Sequence, residues 1–123
     1  MAINTLTHAE RLRSIGAIKR LFESGQSGFI YPFRYVWFAE ADQVPSTAVL
    51  FSVPKKFHRR ANKRNLLKRR VKEVYRLNKS IIIEENKRVV LDVALVYSAK
   101  EVLSYKKINH AVKSVLAEIA KTI

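Results

Sequence analysis

The feature that most restricts this chain is a block of positive charge that also carries a regular apolar pattern. Between Pro54 and Lys79 there are twelve Lys or Arg residues and one acid, Glu73, which gives +11 in 26 residues. The flanks are nearly neutral, with +1 over residues 1–53 and +2 over residues 80–123, so the three parts sum to +14. A folded chain with so much charge in one segment repels itself, and this predicts a polyanionic partner.

The second half of this block has the period of an amphipathic helix. From residue 61 to 79, one arc of about 100° on a helical wheel collects four apolar side chains. These are Leu67, Val71, Val74 and Tyr75. A second arc collects Asn65, Lys68, Arg69, Lys72 and Arg76. One face is therefore expected to pack on the protein, while the other presents cations.

A solvated surface helix and a membrane-bound helix both fit this charged segment less well. A solvated helix usually pairs its charges at i,i+4, but like charges such as Arg64 and Lys68 stand there instead, which costs about a few tenths of a kcal/mol per pair. A helix lying on a membrane needs large apolar anchors opposite its cations. Here the apolar face is needed for the core. The pattern favours nucleic-acid binding, and no membrane partner is expected.

Around this helix the sequence predicts an α+β fold, expected to be a single RNA-binding domain over residues 1–123. The predicted elements are a helix over 14–23, a turn at 26–28, strands over 29–39, 47–53 and 89–97, and helices over 61–79 and 104–121, in the order α-β-β-α-β-α. Residues 80–86 fit either a helix or a loop. Residues 1–13 have no period and are expected to form an extended arm that exposes Arg11 and Arg13.

Aromatic residues crowd the strand predicted over 29–39. Alternate members are expected to fill the core, and the others to stand on the opposite sheet face, where each stacked base contributes about 1–3 kcal/mol. Tyr35, Trp37 and Arg34, beside the cationic helix, would form a groove for single-stranded nucleic acid.

The chain offers little with which to break bonds by itself. His8, His58 and His110 are scattered, and the nucleotide-binding, hydrolase and metalloprotease motifs are absent. With no cysteine there is no thiolate zinc site or cysteine nucleophile, which fits a reducing compartment. No signal-peptide pattern is visible at the start, so a cytoplasmic location is expected.

The basic segment resembles the protein subunit of bacterial ribonuclease P. That family has a Lys-Lys pair at the end of a strand, a short basic loop, and a helix that opens with Arg-Asn, Lys-Arg and a later Glu. The matching residues here are Lys55-Lys56, Arg64-Asn65, Lys68-Arg69 and Glu73, with Arg11-Leu12, Phe22 and Gly25 matching the first helix and turn. Leu66 and Lys72 stand where the family usually has Arg, and Ile18 where it has an aromatic residue.

This resemblance implies an α–β sandwich with a left-handed βαβ crossover. It implies an endonuclease that removes the 5′ leader of precursor tRNA, with its catalytic centre and most of its Mg²⁺ held by an RNA subunit, so no catalytic residue is expected here. The partners would be that RNA and precursor tRNA, and DNA is not expected. The implied RNA-binding residues are Lys55, Lys56, Arg59, Arg60, Lys63, Arg64, Asn65, Lys68, Arg69, Lys72 and Arg76, with Arg11 and Arg13 adding phosphate contacts. The implied leader-binding residues are Phe22, Phe33, Tyr35 and Lys55.

Two alternatives stay open from the residues alone. A ribosomal protein or assembly factor would share the size and charge, and the spacing from Lys55 to Glu73 is what separates it from the ribonuclease P family. A protein nuclease that acts without RNA is the weaker alternative, because no catalytic constellation is visible.

Overall fold

The chain alternates helices with the strands of one mixed sheet. A computed structural model describes residues 14–42, 46–83 and 89–123. Its elements are α1 (Ile15–Ser24), β1 (Gln26–Ile30), β2 (Phe33–Ala41), β3 (Ser46–Ser52), α2 (Ala61–Asn78), α3 (Ser80–Ile83), β4 (Val89–Tyr97) and α4 (Tyr105–Thr122). The predicted arm over 1–13, with Arg11 and Arg13, lies outside the described residues.

The strand predicted over 29–39 is in fact a hairpin of two strands. The chain reverses at Tyr31-Pro32, which are joined by a cis peptide bond, and the predicted turn at 26–28 is the start of β1, where Gln26 pairs with Trp37. Proline fits this position because it lacks the N–H that a strand ladder needs. Aromatic residues on both sides of Pro32 made the segment look continuous. The observed order is therefore α-β-β-β-α-α-β-α. Of the ambiguous segment 80–86, residues 80–83 are helical, and 84–86 lie outside the described residues.

The four strands are arranged in the order β1-β2-β4-β3. β2 pairs antiparallel with both β1 and β4, whereas β3 runs parallel to β4. The connection from β3 through α2 and α3 to β4 is thus the predicted βαβ crossover. The left-handed sense of this crossover stays a prediction. β4 lies between β2 and β3, which explains why its sequence is apolar at every position except Asp92.

The sheet buries its two faces against different helices. On one face, α2 and α4 cover a large core that includes Phe33, Tyr97 and Leu116. On the other, α1 covers a small cluster in which Leu21 packs with Val36 and Ala94. The sequence predicted the helices, but the side of the sheet that each one covers depends on the chain path.

Both ends of α1 have a local cause. The Ser14 hydroxyl accepts a hydrogen bond from the Ala17 amide at 3.3 Å, which satisfies one of the unpaired donors of the first turn. At the other end Gly25 lies so close to the sheet that a Cβ atom would lie 2.8 Å from Val36 Cγ1 and 2.9 Å from the Trp37 carbonyl oxygen. Only glycine lets α1 turn directly into β1.

Candidate RNA-binding surface

The apolar and cationic faces of α2 lie as the helical wheel predicts. Leu67, Val71, Val74 and Tyr75 are buried. On the opposite arc Asn65 and Arg69 are exposed, and Lys68, Lys72 and Arg76 are half-buried. Arg69 makes no hydrogen bond or ion pair with any described residue, so within that part of the chain its guanidinium is available to a ligand.

Arg76, on the same face, has an acidic neighbour one helical turn before it. Its guanidinium donates to Glu73 at 2.6 Å and 3.2 Å, and this hydrogen bonding holds the pKa of Glu73 below its ordinary value. The pair offsets one positive charge at the C-terminal end of α2. The positive potential is therefore concentrated in the first half of the helix and the loop before it.

Arg64 stabilises that loop from inside. Its Nη1 donates to the carbonyl oxygens of His58, at 3.1 Å, and Arg59, at 2.7 Å. One edge of the guanidinium is thus committed to the protein, and only its remaining donors can reach a phosphate. Arg59, Arg60 and Lys63 are exposed around it.

His58 anchors the same loop to the end of the sheet. Its side chain is buried, with Nε2 2.7 Å from the Ala99 carbonyl oxygen. Nε2 must carry the proton in this contact, since a carbonyl oxygen can only accept. The imidazole also packs against the Tyr97 ring at 5.8 Å between centroids. This histidine was not among the predicted site residues, because a lone buried histidine has no sequence signature.

Lys55 and Lys56 leave β3 at the same end of the sheet. Both are exposed, and Lys56 Nζ lies 5.0 Å from the centroid of the Phe57 ring. The predicted Lys-Lys pair at a strand end is therefore present as expected, and it extends the cationic surface from α2 to the sheet edge.

At this end, the sheet face that carries α1 shows a row of four residues in register. Phe29 pairs with Arg34, Arg34 with Val96, and Val96 with Ser52. Directly paired residues share a face, and Arg34 is two residues from Val36, which contacts α1, so the row lies on the face of α1. Phe29 is 58% exposed, and Arg34 is also exposed.

Phe22 of α1 stands on the helix flank beside this row. The ring is 49% exposed, and it lies about 200° around the helix from Arg20. Arg20 contacts Phe38 and Asp92, farther along the sheet, so the opposite flank faces the row of Phe29 and Arg34. We call the channel formed by Phe22, Phe29, Arg34, Val96 and Ser52 the α1 groove.

The predicted pairing of Phe22 with Phe33 and Tyr35 in one groove is wrong. Phe33 is fully buried beneath the other helices, edge-on to Tyr97, and Tyr35 is buried on the same face. A base cannot stack on a ring that has no free surface. The prediction also placed Arg34 in one groove with Tyr35 and Trp37, and this is wrong too, because neighbouring positions of a strand point to opposite faces. Tyr35 and Trp37 lie in the core under α2 and α4, whereas Arg34 is exposed on the face of α1.

Comparison with known proteins gives the family. The family profile described as Ribonuclease P matches residues 6–120 of this chain. The ribonuclease P protein component of Porphyromonas gingivalis is 31% identical over 121 residues, which cover 96% of this chain and 88% of the relative. This chain belongs to the ribonuclease P protein family. It is thus a subunit of the ribonucleoprotein enzyme ribonuclease P, acts in tRNA processing and has an RNA subunit as its partner.

Solved structures confirm the fold of this ribonuclease P protein. The ribonuclease P protein of Thermotoga maritima superposes with a TM-score of 0.71 at 24% identity, covering 89% of this chain and 96% of that one. The protein from Staphylococcus aureus gives a TM-score of 0.68 at 25% identity, covering 95% and 93%. The α+β architecture with its four-stranded mixed sheet is therefore shared.

The described residues of this ribonuclease P protein do not fit a magnesium site. Mg²⁺ prefers carboxylate oxygens and water as ligands. Over 14–42, 46–83 and 89–123, no group of three or more His, Cys, Asp or Glu residues lies close enough to hold a metal ion, and the exposed surface of α2 is cationic.

The same ranges contain no helix long and apolar enough to cross a bilayer.

Proposed function

We propose that this chain binds the catalytic RNA subunit of ribonuclease P and the 5′ leader of precursor tRNA through two adjoining surfaces. The RNA subunit contacts the cationic face of α2 and the loop over residues 54–60. The leader lies in the α1 groove. The single observation that carries the proposal is that the loop and the groove adjoin at the same end of the sheet, where β3 ends.

The charges support the first contact. Lys55, Lys56, Arg59 and Arg60 are exposed on the loop and Arg69 on the helix, and RNA backbones carry one negative charge per nucleotide. Contacts of this kind give affinity and orientation without reading sequence. Arg64 contributes mainly by holding the loop in shape, because its Nη1 is taken by the two loop carbonyls.

The shape of the α1 groove supports the second contact. Proteins that bind single strands combine aromatic rings for stacking with cations that follow the backbone. Phe22 and Phe29 supply exposed rings, Arg34 supplies a guanidinium, and Lys55 stands where the groove meets the loop. Phe33 and Tyr35 support this surface only from the core beneath it.

The bond-breaking chemistry is assigned to the RNA subunit, together with the magnesium ions that it uses. The described residues contain no group of three or more His, Cys, Asp or Glu side chains that could hold such an ion. The residues of this chain act by neutralising phosphates and by holding the leader in line with the cleavage site.

Reconstitution tests both contacts. The chain is combined with its RNA subunit at low magnesium, and cleavage and binding are compared for precursor tRNA with a leader of several nucleotides and with a single-nucleotide leader. The chain should accelerate 5′ leader removal over RNA alone. Phe29→Ala should weaken binding of the long-leader substrate by about 5- to 150-fold, equivalent to 1–3 kcal/mol of stacking, and should leave the short-leader substrate unchanged.

Tyr31→Ala is the matched control for this experiment. Tyr31 is an exposed ring of the same hairpin, but its hydroxyl donates to Glu101 at 3.2 Å, away from the groove. If Tyr31→Ala lowers the preference for long leaders as much as Phe29→Ala, or if neither does, the leader does not lie in the α1 groove. No acceleration over RNA alone would refute the proposal as a whole.

A further inference from the structure

The helix that walls the α1 groove is held to the sheet by few apolar contacts. Within α1, Leu21 is buried, Ala17 and Ile18 are only half-buried, and Ile15 is 85% exposed. Leu21 and the close approach of Gly25 hold the C-terminal end of the helix to the sheet. So narrow an apolar stripe leaves room for a polar contact to help set the angle at which Phe22 stands beside the groove.

A polar contact on the other flank of α1 provides that restraint. Arg20 Nη1 lies 3.6 Å from Glu40 Oε2, and Arg20 Nη2 lies 3.9 Å from Asp92 Oδ2. The guanidinium also lies over the Phe38 ring, 5.2 Å from its centroid. Arg20 and Glu40 are largely exposed, but the Asp92 side chain is only 7% exposed. Asp92 is thus the fixed end of the contact, because β4 is the most enclosed strand of the sheet.

We propose that Asp92 is a positioning residue for leader binding. By holding Arg20, it fixes the rotation of α1 and so places Phe22 over the row of Phe29 and Arg34. Arg20 and Phe22 lie on opposite flanks of one rigid helix, so a rotation that releases Arg20 moves Phe22 in the opposite sense. This inference rests on the proposed leader groove.

The position of Asp92 has a cost that a purely structural residue would avoid. Burial raises its pKa, and the Arg20 guanidinium only partly opposes that shift. Burial therefore disfavours the charged form of the carboxyl group that faces Arg20. Residues kept at a cost to stability are often kept for function.

The experiment uses Asp92→Asn and Arg20→Gln in the full chain, reconstituted with the RNA subunit. Each should weaken binding of the long-leader precursor by about two- to tenfold, in the lower part of the range for coupling between neighbouring residues. Binding of the single-nucleotide-leader precursor should not change. The double variant should bind the long-leader precursor no more weakly than either single variant does. The melting temperature of Asp92→Asn should stay the same or rise, which a merely structural role would not produce.

Lys19→Gln is the matched control, since it removes one positive charge from an exposed position of the same helix. It should leave the preference for the long leader unchanged. A loss with Arg20→Gln but not with Asp92→Asn would mean that Arg20 contacts RNA directly or is held by Glu40, and either result would overturn the role of Asp92. A loss of binding of equal size for the long-leader and the single-nucleotide-leader precursors would also overturn the role of Asp92.

Phe22→Ala separates failure of this inference from failure of the proposed function. If Phe22→Ala lowers the preference for the long leader and Asp92→Asn does not, the groove stands and the positioning role of Asp92 is wrong. If neither variant changes the preference, the leader does not use this groove, and the proposed function fails with it.

Discussion

Two neighbouring arginines of α2 allow a sharp test of which helix face meets RNA. Arg69 is exposed on the cationic face. Arg70 points toward the loop before α4, where its Nη1 donates to the Leu103 carbonyl oxygen at 2.8 Å. Replacing either by Gln removes one positive charge from the same helix, one residue apart. The two changes are matched in chemistry and differ only in the direction of the side chain.

The two substitutions should change different quantities, RNA binding for Arg69→Gln and stability for Arg70→Gln. Arg69→Gln should lose a charge-assisted contact with a phosphate, which weakens RNA binding by about 1–3 kcal/mol, or about 5- to 150-fold. The slope of log affinity against log salt should become shallower by about 0.7–0.9, the value for one phosphate. Arg70→Gln should leave that slope unchanged. It should instead lower the free energy of unfolding by about 1–2 kcal/mol, because the Leu103 carbonyl loses a charged donor.

Filter binding to the RNA subunit over a series of salt concentrations measures the slopes, and thermal melting of the free protein measures stability. The loss for Arg70→Gln should appear as a decrease of about 3–8 °C in melting temperature, and Arg69→Gln should melt like the parent. Equal changes of salt slope for the two variants would show that the described face of α2 is not the RNA-binding face. An affinity that hardly depends on salt would refute the electrostatic reasoning altogether.

Three further predictions concern stability. Gly25→Ala should destabilise the protein in denaturant melts, because its Cβ would meet backbone and side-chain atoms of the sheet. Gly16→Ala should instead stabilise it by up to about 1 kcal/mol, because a Cβ on this helical residue would meet Ser14 Oγ at an ordinary contact distance of 3.9 Å; equal effects would contradict the packing. His58→Ala should cost about 1–3 kcal/mol of unfolding free energy in urea melts, because the Ala99 carbonyl loses its partner, and unchanged stability would contradict the anchor. Since burial raises the pKa of Asp92, the native state binds the proton of the Asp92 carboxyl group more tightly than the unfolded state does. The stability that the protonated Asp92 carboxyl contributes is therefore complete below the ordinary pKa of 3.8. This stability is lost as the pH rises through the raised pKa of the folded state. Asp92→Asn should thus match or exceed the parent in stability at neutral pH, and a neutral-pH deficit that disappears in acid would contradict this sign.

Much of the RNA-binding surface could be predicted because its signals are local. A helix places residues three and four apart on one face, so the buried Leu67 and the exposed Arg69 follow from spacing alone. The charge balance of the segment over 54–79 needs no structure either. The family resemblance depended on the same local spacing, and the match to known ribonuclease P proteins confirms it.

The α1 groove could not be predicted in the same way. Strand alternation shows that Arg34 and Tyr35 lie on opposite faces, but it does not show which face is covered. Pro32 marks a reversal that the surrounding aromatic residues concealed, so Phe29 was placed on the wrong strand. Phe29 pairs with Arg34 only through the hairpin, so a sequence pattern that treats residues 29–39 as one strand cannot predict this pair.

By itself, then, the sequence determined the cationic helix, the Lys-Lys strand end, the family and the α+β class. Each of these depends on residues close together in the chain. Only the tertiary structure decided that α1 and α2 cover opposite faces of the sheet, which places Phe29 and Arg34, and not Phe33 and Tyr35, in the proposed leader site. It also brought Arg20 to Asp92. These contacts join distant segments, and the packing of the whole core selects among the arrangements that local patterns allow equally.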